Sequence, residues 1–61
     1  MNGLEIKARI TLSGLRVWDV SRDTGIHYAR LSMILNNRIE ATPGEIEKIN
    51  ETLKKAEEAI K

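Results

Sequence analysis

The chain has 61 residues, no cysteine, one histidine and a formal net charge of +1. That length supports one domain with a small core. The composition excludes disulfides and thiolate metal sites, and His27 alone cannot build a zinc site. No apolar run approaches the roughly 18 residues of a membrane span, and the N-terminus lacks the basic-then-apolar pattern of a secretion signal. The expectation is a cytoplasmic protein without a cofactor and without a membrane partner.

Leu4 to Leu12 reads as a first helix. Ile6 and Ile10 lie four apart, and Leu12 extends their stripe, while Lys7, Arg9 and Thr11 face out. Ser13-Gly14 closes it, glycine being suited to a left-handed cap, and Leu15 turns back to the core. Arg16 to Thr24 is the second helix. Val17, Val20 and Trp18 are its apolar contribution, and Ser21 is small enough for a neighbouring helix to approach. Asp19 in its first turn suits the helix dipole. Asp23-Thr24-Gly25 is a turn signal.

Ile26 leads into a third helix from about His27 to Asn36 or Asn37. Leu31, Ile34 and Leu35 form its buried edge. The other edge carries His27, Tyr28, Ala29, Ser32, Met33 and Asn36. Asn37 can take the left-handed conformation that ends a helix, and Arg38 to Ala41 is a loop anchored by Ile39. Thr42-Pro43-Gly44-Glu45 combines an N-cap, a proline at the first helical position and a capping-box glutamate. The fourth helix therefore starts at Pro43 and can run to about Ile60. Ile46, Ile49, Leu53, Ala56 and Ile60 form a heptad-like seam along it. Its first half covers the other helices. Ile46, Ile49 and Leu53 suffice for that, and the seam beyond Leu53 outruns so small a core: Ala56 and Ile60 either fray in solvent or, with Leu53 at the edge of the contact, pack on a second copy. The fold class expected is all-α: a compact four-helix helix-turn-helix domain with a longer C-terminal helix, one domain over 1–61.

Charge divides along the chain. Residues 1–38 carry +3 and residues 39–61 carry −2. The basic half holds the two-helix unit at 17–36, the sign expected of a polyanion-binding face. Arg22 and Arg30 have an alternative use in ion pairs with Asp19 and Asp23. Enzymatic readings lack material: no Ser-His-acid or Cys-His set and no glycine-rich phosphate loop is present, and a four-helix domain this small has little room for a small-molecule substrate.

Two short helices joined by a glycine-containing turn, with an apolar inner face and a small crossing residue, make the helix-turn-helix pattern. Over about residues 4–53 the chain resembles the lambda-repressor-like helix-turn-helix domains, the Cro and phage-repressor (XRE) group. Ile6, Ile10, Gly14-Leu15, Val20-Ser21, Gly25-Ile26, Leu31, Ile34-Leu35-Asn36-Asn37-Arg38 and the capped helix from Thr42 carry the resemblance. It implies a transcriptional regulator that binds double-stranded DNA sequence-specifically as a homodimer, with the third helix in the major groove. By that resemblance His27, Tyr28, Ala29, Ser32 and Met33 would meet base edges. Asn36, Asn37 and Arg38, together with Arg16, Arg22 and Arg30, would meet phosphates. The chain departs from the family in having Val17 where many members place a phosphate-binding glutamine, and in having Ala29 and Met33 where polar readers are common. The alternative is a protein-binding module on the same fold, docking through Tyr28, Ala29 and Met33.

Overall fold

The structure is a computed structural model that describes residues 2–59. It is all-helical: α1 spans Gly3–Leu12, α2 Val17–Thr24, α3 Tyr28–Leu35 and α4 Pro43–Ala59, with no strand among the described residues. α2 packs on both α3 and α4, and α1 packs on α3. The four-helix arrangement with a longer last helix is the one expected.

Each helix starts and stops where its local chemistry allows. Asn2 caps α1, its Oδ1 accepting from the Leu4 N–H at 2.8 Å. At the other end the Gly14 N–H donates to Thr11 and the Leu15 N–H to Ile10, with Gly14 at φ 75°. This paired closure satisfies carbonyls that the last turn leaves free. It also redirects the chain so that Leu15 packs against the core. α3 ends the same way with Asn37 in place of glycine: Asn37 N–H donates to Ile34, Arg38 N–H to Met33, and Asn37 has φ 58°. Asparagine tolerates that backbone better than most side chains do. The ends of α2 and α3 fall one or two residues inside the expected ranges because Arg16, His27 and Asn36 serve as caps. At α4 the expected capping box is formed. The Thr42 N–H donates to Glu45 at 2.8 Å and the Glu45 N–H donates to Thr42 Oγ1 at 3.2 Å.

The core gathers Ile6 and Ile10 from α1, Val20 from α2, Ile26 from the turn, Leu31 and Leu35 from α3, and Ile49 and Leu53 from α4; Leu15 and Val17 pack against them. Three expectations are corrected. Leu12 is 83% exposed and does not extend the Ile6–Ile10 stripe. It lies two residues beyond Ile10, about 200° around the helix, and Leu15 turns inward past it. Trp18 is 63% exposed and is not part of the core; Val17, Val20 and Thr24 run at helical spacing along α2 and Trp18 falls beside that line. Leu53 is completely buried within the single chain, so it closes the monomer core and offers nothing to a second copy. Ala56 is half-buried, and Ile60 lies outside the described residues.

Candidate nucleic-acid interface

The turn between α2 and α3 is fixed by side-chain hydroxyls as well as by glycine. Gly25 takes φ 75° and its N–H donates to the Ser21 carbonyl at 3.0 Å. Thr24 Oγ1, buried, donates to the Val20 carbonyl at 2.6 Å and accepts the Ile26 N–H at 3.3 Å. Ser21 Oγ donates to the Ile26 carbonyl at 2.5 Å. Ser21, expected only as a small crossing residue, is therefore also a strut. Buried backbone groups need such partners, and here they hold the entry of α3 at a set position on α2.

α3 begins at that strut. His27 is its N-cap, with Nδ1 accepting the Ala29 N–H at 3.2 Å. Leu31, Ile34 and Leu35 point into the protein, each no more than 3% exposed. His27, Ala29, Tyr28 and Met33 face outward, and Ser32 is half-buried. Tyr28, Ala29, Ser32 and Met33 fall within one arc of the helix surface, by its 100° step per residue. Of the five residues expected to read bases, four thus lie exposed on or beside one face.

The six expected phosphate contacts divide differently. Arg30 turns to α4, where its Nε and Nη2 meet the two carboxylate oxygens of Glu45 at 2.6 and 2.8 Å. This fork-to-fork pair is a strong geometry. Hydrogen bonding from Arg30, then from the Thr42 backbone, holds the Glu45 carboxyl down at about 2, and Glu45 in turn raises the Arg30 guanidinium. Its partner is Glu45, not Asp19 or Asp23, because the first turn of α4 brings the capping-box carboxylate within reach of the Arg30 side chain. Arg22 does pair as the alternative expected, 3.5 Å from both Asp19 and Asp23. Asn36 Nδ2 donates to the Ser32 carbonyl at 2.9 Å. Asn37 is turned toward the chain's start: its Oδ1 accepts the Gly3 N–H at 2.9 Å and its Nδ2 donates to Asn2 Oδ1 at 3.1 Å. Its amide fastens α1 to the end of α3, so both of its polar atoms are engaged within the protein. Arg16 and Arg38 are exposed and have no ion-pair partner among the described residues.

One contact was not anticipated. The Trp18 and Tyr28 rings lie 5.7 Å apart between centroids at an interplanar angle of 47°. Tilted aromatic pairs at this separation are favourable, and both rings remain substantially in solvent, at 63% and 44%. They join the starts of α2 and α3 on the outside of the molecule. The helical spacing of Val17, Val20 and Thr24 is the signal that could have set Trp18 off the buried line; the partner ring on the next helix had no signature in sequence. Among the described residues, no group of three or more acidic or histidine side chains stands close enough to hold a metal ion, and no helix is long and apolar enough to cross a membrane. Compared with models of protein families, with curated proteins and with solved structures, the chain matches none.

Proposed function

We propose that the chain is a lambda-repressor-like, Cro-type transcriptional regulator of phage or bacterial kind, acting in the cytoplasm, that binds double-stranded DNA with α3 in the major groove. The observation that carries this reading is the presentation of α3. The helix is anchored by Leu31, Ile34 and Leu35 on one side and turns His27, Tyr28, Ala29 and Met33 outward on the other. It follows α2 through a turn fixed by Gly25, Ser21 and Thr24. A helix held in this way matches the groove in diameter. Ala29 and Met33 suit the thymine methyl, while His27 and Tyr28 can bond base edges or phosphates. Of the arginines expected at phosphate, Arg16 and Arg38 are free to neutralise it. A homodimer on a two-fold operator belongs to the same proposal, but without Leu53 in its interface.

The test is selection from a random duplex library, followed by binding of the enriched duplex as a function of salt. Two free arginines per chain predict a log–log salt slope of roughly −2 for a monomer and roughly −4 for a dimer. Arg16→Ala and Arg38→Ala should each lower the slope by about 1 per bound chain. Absence of any enriched or bound duplex at low salt refutes the proposal. The exposed Tyr28 and Met33 support a second reading, a protein-binding module. It predicts a bound protein lost in Met33→Asp, with no duplex competing for the same face.

A further inference from the structure

We infer that Trp18 and Tyr28 form an aromatic ledge that rests on the sugar–phosphate strand at the edge of the groove, with Trp18 as a DNA-contacting residue. This rests on the duplex-DNA reading of α3. Tyr28 is the first residue of α3 and Trp18 is the second residue of α2. The major groove, about 12 Å wide, is filled by one helix of about 10–12 Å. A ring on the neighbouring helix, 5.7 Å from the Tyr28 ring, therefore cannot enter the groove beside it and lies over the groove wall. That wall is deoxyribose and phosphate.

The surroundings suit such an occupant. Arg16, two residues before Trp18, is exposed and unpaired among the described residues. His27 stands exposed next to Tyr28. The nearby carboxylate of Asp19 is already engaged, accepting the Arg16 backbone N–H at 3.0 Å and pairing with Arg22. The indole has a face to cover sugar and an N–H to donate to a phosphate oxygen. The core does not explain the ring's position, since Trp18 is 63% exposed.

Trp18 is the chain's one tryptophan, so its emission reports on this spot alone. Binding of a dye-labelled selected duplex is followed by anisotropy, and Trp18 is followed in parallel by emission and acrylamide quenching. Binding should shield the indole. Trp18→Ala should weaken binding about tenfold, the equivalent of one hydrogen bond to a charged group, and by a similar factor for every duplex bound, since phosphate carries no sequence. Trp18→Phe keeps the aromatic pair but lacks the donor, and should show most of the same loss. Its thermal midpoint should match the parent's, which separates contact from folding even if Trp18→Ala were to unfold. A duplex bound with Trp18 still fully open to acrylamide, and Trp18→Phe binding as the parent does, overturns the ledge and leaves the DNA reading intact. No binding of any duplex overturns both. Emission that shifts with protein concentration in the absence of DNA overturns the ledge too, marking it as a contact between copies.

Discussion

Gly3 offers the sharpest test of how the helices are assembled. It is the first residue of α1 and is buried against the end of α3. A Cβ added there would stand 2.1 Å from the Ile34 carbonyl oxygen and 2.7 Å from Asn37 Oδ1. The first of these is backbone, so α1 must move away by about 1 Å to restore van der Waals contact, and overpacking of this sort costs about 1–3 kcal/mol. The same movement stretches the bonds from Gly3 to Asn37 and from Asn37 to Asn2, at about 1 kcal/mol each. Opposing this, alanine gains up to about 1 kcal/mol over glycine in a helix. The net is a loss of about 2–4 kcal/mol, a large share of the stability of a domain this size. A midpoint lower by roughly 10–30 °C follows for Gly3→Ala. Gly44, in the first turn of α4, is the control, because a Cβ there meets nothing within 4 Å. Gly44→Ala should be neutral or stabilising by up to about 1 kcal/mol. Thermal and urea unfolding followed by far-ultraviolet circular dichroism measures both. Gly3→Ala as stable as the parent would refute the close approach of α1 to α3.

Other expectations follow from the same packing. Leu53→Ala should cost about 2–5 kcal/mol, whereas Leu12→Ala should stay within about 0.5 kcal/mol; urea titrations yielding equal losses would contradict their burial. Glu45 is held at about 2 in the folded chain against an ordinary 4.5. Its stabilising contribution is thus complete above about pH 4.5 and disappears as pH falls toward 2. Glu45→Gln should lower the unfolding midpoint at neutral pH and flatten its decline across that acid window; an unchanged decline would exclude Glu45 as its source. Arg30→Gln should lower the midpoint as well, through the same pair, yet leave the salt slope of duplex binding unchanged, in contrast to Arg16→Ala.

What was legible in the sequence follows from range. Helix ends depend on residues within five of each other, and so Gly14, Gly25, Asn37 and the Thr42–Glu45 box announced theirs correctly. Helical spacing likewise revealed Ile6, Ile10, Val20, Leu31 and Ile49. Errors arose where a choice depended on distant chain. Leu12 extended a stripe by hydrophobicity alone, although its angle about α1 turns it outward. Leu53 stands at the join between the core-covering half of α4 and the seam beyond it, and spacing along one helix cannot say to which it belongs; α4 lies closely enough on α2 to bury it fully. The pairings of Arg30 with Glu45 and of Asn37 with Gly3 span 15 and 34 residues. No local rule selects such partners from a chain with ten basic residues.

These long-range pairings change what the proposed interface has to work with. Arg30 and Asn37 hold α3 from its two flanks, Arg30 to α4 and Asn37 to the start of α1, and both are thereby engaged in setting its position. The exposed polar and charged set near α3 contracts to His27, Tyr28, Asn36, Arg16 and Arg38. A face with so few bidentate readers gains discrimination from methyl contacts at Ala29 and Met33 and from the fit of a rigid helix to the groove, more than from hydrogen bonds to base edges. Its affinity then depends on few phosphates. On the proposed reading, binding by one copy should be weak and only moderately sensitive to salt. Two copies on adjacent half-sites would double the neutralised charge, which is the physical reason a homodimer remains part of the proposal after Leu53 has been returned to the core.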